Sequence, residues 1–185
     1  MDDRRLVKDC LKGNAAAQRK LYEQYAPPMM AVCYRYTKSV ADAEDVLQDA
    51  FVKVFKNLAQ YKGDGELGAW IRRIMVTTAI NYLKKNSRYN SELVFGDEHL
   101  HAVNAYQPQV NLEAKELADL IRQLPSGYQT IFNLYAVEGY NHLEIGEMLG
   151  IKEGTSRSQY ARARALLIQW IEQKNSDYKT AAYAR

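Results

Sequence analysis

Residues 141–151 read NHLEIGEMLGI, and residues 152–171 continue as KEGTSRSQYARARALLIQWI. Asn141 can cap the start of a helix, and Glu144 can reach back to that cap to form a capping box. Gly150 permits a tight turn, and a second helix follows without a spacer. The stretch therefore predicts a helix-turn-helix, a unit that places its second helix in the major groove of duplex DNA.

The second helix of this unit has two chemically different faces. Its inward stripe is predicted to consist of Ser156, Tyr160, Ala163 and Leu167. The outward positions are small, polar or basic: Arg157, Ser158, Ala161, Arg162 and Ala165, with Arg164 at the border. Outward arginines suit guanine edges or backbone phosphates, which favours DNA binding. The alternative is a solvated basic face on an ordinary helical hairpin.

A second pattern lies at residues 42–51, DAEDVLQDAF, in a helix that can begin at Ser39 or Asp42. The buried stripe of this helix is predicted to be Val46, Leu47, Ala50, Phe51 and Val54. The stripe leaves an exposed acidic strip of Asp45, Gln48 and Asp49, with Val52 beside it. A merely solvated face is the alternative, because the helix dipole favours acidic residues near a helix start. No nucleophile or histidine accompanies these carboxylates at a useful spacing, so the sequence predicts that the protein is not an enzyme.

A third pattern lies at residues 61–74, YKGDGELGAWIRRI. Its three glycines predict a flexible loop, and the helix that follows carries a polar and basic ridge of Arg73, Thr77, Asn81, Lys84 and Arg88. Aromatic side chains beside such a ridge are typical of proteins that hold single-stranded nucleic acid by stacking and phosphate charge. The alternative is that Tyr61 and Trp70 are core residues, since buried indoles are common.

The apolar residues outside residues 87–112 recur at spacings of three and four, and no strand-like alternation is sustained. The predicted fold class is therefore all-α. It comprises two small helical domains at residues 1–86 and 113–172, a polar linker at 87–112 and a flexible tail at 173–185. Residues 1–86 contain 15 Lys/Arg against 10 Asp/Glu. This basic excess weakly indicates a polyanionic partner for the first domain.

A composition of 47% hydrophobic and 25% charged residues is typical of a folded soluble protein. No stretch approaches the roughly 18 apolar residues of a membrane span, and the start lacks a targeting signal. We therefore expect no membrane insertion and a cytoplasmic location. Cys10 and Cys33 stand among apolar neighbours, which predicts buried free thiols. His99 and His101 form at most a weak metal pair, so neither a metal site nor a cofactor is predicted.

Taken in order, the three patterns resemble the extracytoplasmic-function sigma factors, sigma-E-like members of the sigma-70 family. The matching segments are Asp42–Phe55, Tyr61–Ile74 and Leu124–Leu167. Proteins of this family are non-enzymatic RNA polymerase subunits that direct promoter-specific transcription initiation. The resemblance implies a sigma2-like first domain, which binds core polymerase and recognises and melts the minus-ten element. It implies a sigma4-like second domain, whose helix-turn-helix recognises the minus-thirty-five element.

The resemblance also implies roles for individual residues. Asp45, Gln48 and Asp49 would meet the clamp helices of the polymerase beta-prime subunit. The minus-ten element would contact the glycine loop and the helix after it, at Lys62, Asp64, Glu66, Leu67, Trp70, Arg72, Arg73, Thr77, Lys84 and Lys85. The minus-thirty-five element would face Thr155, Arg157, Ser158, Arg162 and Arg164. The implied partners are the polymerase core, including its beta flap, promoter DNA and an anti-sigma factor.

Four positions depart from the family pattern. Family members commonly carry Asn at the position of Thr77, Val at that of Ser156 and Arg or Lys at that of Gln159, and Ala161 is smaller than usual. These departures predict altered or weak promoter reading. The three in the second domain, Ser156, Gln159 and Ala161, suggest the hypothesis that an accessory DNA-targeting protein recruits the chain. A different alternative is a two-domain helix-turn-helix regulator that acts without polymerase core. Such a regulator would dimerise on paired half-sites and would have no use for the glycine loop.

Overall fold

The computed structural model describes the backbone of residues 3–85 and 114–183 and the side chains of residues 3–85 and 115–174. The chain divides into two compact units, Met1–Lys85 and Asn86–Arg185, called unit 1 and unit 2 below. Within the described residues all regular structure is helical, which confirms the all-α prediction. None of the helices in this part of the chain is long and apolar enough to cross a membrane.

Two of the helices in the described part of unit 1 begin at a side-chain cap. Its elements are α1 (Asp3–Leu11), α2 (Ala15–Tyr34), α3 (Val40–Asn57), a 3-10 turn (Leu58–Gln60) and α4 (Leu67–Lys85). The Asn14 side chain accepts a hydrogen bond from the Ala17 N–H at the start of α2. Ser39 does the same for α3, accepting from the Asp42 N–H at 3.0 Å. Of the two predicted starts for this helix, Ser39 is therefore the cap.

The core of unit 1 lies where α2, α3 and α4 pack against one another. The predicted stripe of α3 is buried throughout: Val46, Leu47, Ala50, Phe51 and Val54. Leu21 of α2 and Ile71 of α4 are fully buried as well. Cys10 and Cys33 are buried free thiols, as predicted, and burial raises the pKa of Cys33 to about 12. Because α3 buries one face, its opposite face is left to solvent.

Unit 2 is built around a long final helix. Its described elements are α5 (Ala114–Gln123), α6 (Ser126–Phe132), a π-helical turn (Asn133–Val137), α7 (His142–Leu149) and α8 (Glu153–Tyr183). One apolar cluster joins the helices at both ends of the unit: Leu120, Leu124, Ala163, Leu167 and Ile171. Helix α8 packs against both α6 and α7, so it is the element that the rest of the unit holds in place.

The predicted helix-turn-helix is formed by α7 and α8. Asn141 accepts from the Glu144 N–H at 2.9 Å, and the Glu144 carboxylate accepts from the Asn141 N–H at 2.8 Å, which confirms the capping box. Gly150 ends α7 in the left-handed region, at φ 73°. A Cβ on Gly146 would stand 2.8 Å from the Ile151 carbonyl oxygen, so a side chain at this position would force the turn open.

The sequence predicted a tail after residue 172, whereas the backbone of α8 continues as a helix to Tyr183. No glycine or proline stands between Thr155 and the end of the chain, so nothing in the backbone chemistry stops the helix at the predicted boundary. Other predictions concern residues 87–112, including His99 and His101, and Arg88 of the ridge. These positions lie outside the described residues.

Candidate nucleic-acid interface

The acidic strip of α3 is exposed as predicted. Asp45, Gln48 and Asp49 all face solvent, and Val52, one turn further along, is 52% exposed. A half-exposed valine next to two carboxylates gives the strip an apolar edge. This combination favours a protein interface over a merely solvated face, because an interface buries apolar area and uses charges for selectivity.

The start of α3 is tied to α4 by a hydrogen bond between side chains. The Tyr82 hydroxyl donates to Asp42 Oδ1 at 2.5 Å, and the Ser39 hydroxyl donates to Asp42 Oδ2 at 2.7 Å. These two bonds hold the pKa of the Asp42 carboxyl below its ordinary value, and the bond to Asp42 raises the pKa of Tyr82 to about 12. The acidic strip is therefore presented by a helix whose first turn is fixed in place.

The predicted ridge on α4 borders a cleft between α3 and α4. Arg73, Thr77 and Asn81 are exposed along one side of α4. The cleft has a volume of about 360 Å³ and is lined by Lys53, Asn57, Trp70, Arg73, Ile74, Thr77, Thr78 and Asn81. Sequence reasoning missed Lys53 and Asn57, because they belong to another helix. The cleft joins their polar groups to the ridge, which suits a base edge or a phosphate.

Two of the aromatic residues stand at one end of this cleft. Trp70 and Tyr61 are both half-buried, and their ring centroids are 5.8 Å apart. Neither a core position nor full exposure describes them, since both side chains are partly exposed. A ring in this position can stack on an unpaired base without leaving the protein surface.

The glycine loop before α4 is held at two points. The Tyr61 hydroxyl donates to the Gly65 carbonyl at 2.7 Å, and the Arg4 guanidinium donates to the Gly63 carbonyl at 3.5 Å. Gly63 and Gly65 have φ of 80° and 92°, a region that other residues rarely adopt. The loop is therefore shaped by its glycines and pinned from α1, with its charged side chains left outward: Lys62, Asp64 and Glu66.

Two residues predicted to contact the minus-ten element are placed differently. Leu67 is 0% exposed, because it begins α4 and packs into the core of unit 1, so its side chain does not belong to the exposed surface of the loop. Arg72 is half-buried and lies about 100° around the helix from Arg73. It therefore stands off the ridge, whereas Lys84 is a ridge residue and lies with Lys85 in the last turn of α4.

The outward face of α8 carries the predicted basic residues. Arg157, Ser158 and Arg164 are exposed, whereas Thr155 and Arg162 are half-buried. Arg157 is paired with Glu153 one turn earlier, at 2.5 Å between Nη2 and Oε1. Such an exposed pair is weak, so Arg157 can exchange Glu153 for a phosphate or a guanine at little cost.

The inward stripe of α8 is confirmed at Ser156, Ala163 and Leu167, which are buried, and Tyr160 is half-buried. Gln159 is 3% exposed. The Gln159 side chain is therefore enclosed within unit 2, whereas a phosphate contact needs an exposed side chain. Two of the departures that suggested weak DNA affinity thus lie inside the unit.

His142 is a residue that sequence reasoning did not assign to the site. Its Nδ1 lies 3.0 Å from the Ser156 hydroxyl oxygen, and its ring stacks on Tyr135. Burial, then the charge of Arg157, lowers the pKa of His142, against a smaller opposing effect of Glu153. The sequence held one signal for this contact, a histidine at a helix start followed by a serine on an otherwise apolar stripe. Within the described residues, no group of three or more potential metal ligands is present.

The chain matches two protein-family models. Residues 21–89 match Sigma-70 region 2, and residues 114–167 match Sigma-70 region 4. The first match contains the acidic strip, the glycine loop and the ridge, whereas α1 precedes it. The second contains the helix-turn-helix and the first turns of α8.

Named relatives agree with these matches over nearly the whole chain. The ECF RNA polymerase sigma-E factor of Escherichia coli K12 is 30% identical over 175 residues, which cover 89% of this chain and 91% of that protein. The ECF RNA polymerase sigma factor SigW of Bacillus subtilis is 28% identical over 172 residues, covering 87% and 92%.

Two solved structures share the fold. The sigma factor RpoE of Bartonella quintana, in complex with the anti-sigma factor NepR, gives a TM-score of 0.51 at 18% identity, covering 83% of this chain and 96% of that one. CnrH, in complex with the cytosolic domain of CnrY, gives 0.50 at 22% identity, covering 92% and 97%. The family models and the relatives together show that the chain belongs to the extracytoplasmic-function sigma factors. These proteins are non-enzymatic subunits that direct RNA polymerase to promoters.

Proposed function

We propose that this chain binds RNA polymerase core through the acidic strip and reads a promoter with two separate surfaces. The proposal rests mainly on one observation: unit 1 has an acidic surface and a basic cleft at different places. Asp45 and Asp49 are exposed on one helix face, and the cleft with Arg73 and Lys53 opens between that helix and α4. An acidic surface repels nucleic acid and a basic cleft attracts it, so a single small bundle can hold a protein partner and a DNA strand at once.

The cleft and the glycine loop are proposed to bind the melted strand of the minus-ten element. Trp70 and Tyr61 offer half-exposed rings for stacking, and Arg73 offers charge for the phosphates. The Thr77 hydroxyl donates to the Arg73 carbonyl at 2.8 Å. Lys62, Asp64 and Glu66 line the path from the loop. Single-stranded DNA is the ligand that this combination suits.

The recognition helix α8 is proposed to read the minus-thirty-five element as duplex DNA. Thr155, Arg157 and Ser158 lie in its first turns, where a helix-turn-helix meets base edges. Arg162 and Arg164 follow on the next turns and suit backbone phosphates. Because Arg157 is exposed and only weakly paired, it is the side chain best placed to read a guanine.

The proposal includes further partners and a location. The beta flap of the polymerase is the proposed partner of unit 2. An anti-sigma factor is a proposed regulator, since the similar RpoE and CnrH were crystallised in complexes. The proposed location is the cytoplasm, where RNA polymerase works. The accessory recruiter stays a prediction. Ala161 is exposed, whereas Gln159 is buried and the buried Ser156 hydroxyl is bonded to His142.

One experiment tests the function and separates it from a regulator that acts alone. The full chain is mixed with core polymerase, passed over a gel-filtration column, and the complex is used to transcribe a library randomised at both promoter elements. We expect co-elution with core and transcripts enriched in preferred bases at both elements. A chain that elutes apart from core, or as a dimer that binds duplex DNA by itself, would instead be a regulator of the kind that dimerises on half-sites.

A further inference from the structure

His142 joins three segments of unit 2 at the start of the helix-turn-helix. Its ring lies nearly parallel to that of Tyr135, with centroids 4.4 Å apart and 9° between the planes. The ring of Tyr160, on α8, is 5.8 Å away. Nδ1 lies 3.0 Å from the hydroxyl oxygen of Ser156, also on α8. The first residue of α7 is thereby connected both to the π-helical turn before it and to the recognition helix after it.

Ser156 is the recognition-helix end of this connection. It is 0% exposed and stands between Thr155 and Arg157, two residues proposed to face DNA. A buried hydroxyl without a partner would destabilise the fold, so its bond to His142 is needed once serine occupies the position. An apolar contact tolerates small rotations, whereas a hydrogen bond prefers a narrow range of distance and angle. The polar pair therefore constrains the rotation of α8 more tightly than an apolar side chain would.

The π-helical turn supplies the support for the imidazole. This turn, Asn133–Val137, places Tyr135 against His142 on one side and within 4.5 Å of Tyr160 between ring centroids. Phe132 stacks on the other side of the cluster, 5.8 Å from Tyr160. π-helical turns are rare and often occur at functional sites. Here the turn holds the ring in the plane that directs Nδ1 at Ser156.

We propose that His142 is a positioning residue for minus-thirty-five recognition: through Ser156 it sets the rotation of α8 and hence the direction in which Thr155, Arg157 and Ser158 meet the bases. The inference rests on the proposed role of α8. A bond that only stabilised the fold would leave the preferred bases unchanged, whereas the proposed role makes the base preference depend on this bond. Serine in place of the usual apolar residue is then a working part of the site and does not weaken it.

The test compares variants that remove the bond with one that removes an equivalent bond elsewhere. His142→Phe keeps a stacking ring and removes Nδ1, Ser156→Ala removes the hydroxyl, and the double variant removes both. The control is Thr130→Val, which removes a buried hydroxyl that donates to the Ser126 carbonyl at 2.7 Å in α6. Each full-length chain is assembled with core polymerase and transcribes a library randomised at both promoter elements. Melting temperatures are measured in parallel.

We expect each single variant to lower the enrichment of preferred minus-thirty-five bases roughly 3- to 10-fold, with minus-ten enrichment unchanged. The double variant should be no worse than the singles, since the three chains lack the same bond. Thr130→Val should melt lower but keep the parent's base preference. Unchanged preference in His142→Phe and Ser156→Ala, or an equal loss in Thr130→Val, overturns the inference. A parent chain that transcribes without any minus-thirty-five preference refutes the proposed role of α8 itself.

Discussion

Among the described residues, the buried core of unit 1 contains the polar side chains Thr37 and Thr78, whereas unit 2 buries Gln129, Thr130, Asn133, Ser156 and Gln159. Unit 1 is thus held mainly by apolar burial, which depends on volume and shape. Unit 2 adds hydrogen bonds whose geometry is directional. We infer that unit 1 is sensitive to lost volume and unit 2 to lost or misplaced polar groups.

The two units also differ in where their proposed contacts lie. In unit 1 the contacts are spread over a helix face, a cleft and a loop pinned by Arg4 and Tyr61. In unit 2 they lie on one face of one helix, so a single rotation of α8 moves them all. When the whole binding surface lies on one helix, a hydrogen bond that restricts the rotation of that helix affects every contact. The bond between Ser156 and His142 is of this kind.

Reversing the charge of the acidic strip should abolish binding to polymerase core. Asp45→Lys combined with Asp49→Lys is expected to weaken co-purification by about 100-fold or more, since like charges across an interface cost several kcal/mol. The melting temperature should change little, because both side chains are exposed. The matched control is the single charge reversal Glu23→Lys, at an exposed carboxylate on α2 of the same unit. Retained core binding would remove the strip from the interface.

Removing volume from the core of unit 1 should have the largest effect on stability. Ile71→Ala is expected to lower the free energy of unfolding by about 2–5 kcal/mol, because Ile71 is fully buried and the helices around it cannot fully collapse. Ile71→Val should cost only about 0.5–1.5 kcal/mol. Denaturant titration measures both. Equal losses for the two variants would contradict a core stabilised by volume.

Introducing a charge at Gln159 should destabilise unit 2, although Arg or Lys is common at this position in the family. Gln159→Arg is expected to cost about 3 kcal/mol, because the side chain is 3% exposed and an arginine there would have to shed its water or displace α8. Transcription from generic promoters should fall along with stability. Increased transcription would restore the accessory-recruiter argument that treated Gln159 as a missing phosphate contact.

Removing an outward arginine should weaken DNA binding without affecting the fold. Arg157→Ala and Arg162→Ala are each expected to cost about 1–3 kcal/mol of promoter-binding free energy. If the side chain reads a guanine, its removal should also relax the base preference at one base pair. A phosphate contact would instead weaken every sequence alike and reduce the salt dependence. Competition binding on single-substituted promoters distinguishes the two. Parental binding by both variants would place the recognition face elsewhere.

Removing the Tyr82 hydroxyl should give the smallest effect, and one that depends on pH. Tyr82→Phe is expected to cost about 1 kcal/mol at neutral pH, since the bond to Asp42 is partly exposed. The pKa of Asp42 is lowered in the folded chain, so the bond stabilises the fold fully above the ordinary value of 3.8. That stabilisation is lost as the pH falls through the lowered pKa. A difference between parent and variant that persists in acid would show that the tyrosine acts only by packing.

Local signals predicted much of this fold correctly. The cap at Ser39, the capping box at Asn141 and Glu144, the left-handed Gly150 and the buried stripe of α3 are all present. Each depends on residues within one or two helical turns, and short-range chemistry is what a sequence pattern contains. The exposed acidic strip followed from the same stripe by geometry alone.

The sequence by itself therefore determined the all-α class, the caps at Ser39 and Asn141 and the family, whereas only the tertiary structure decided which residues reach the surface. Leu67 and Gln159 are buried, and Lys53 lines the cleft, because a neighbouring helix covers or opens those positions. His142 and Ser156 are 14 positions apart and belong to different helices. Their bond depends on how closely α7 and α8 approach each other, and the close backbone approach at Gly146 contributes to that distance. The periodicity of residues along one helix gives no information about the distance between two helices.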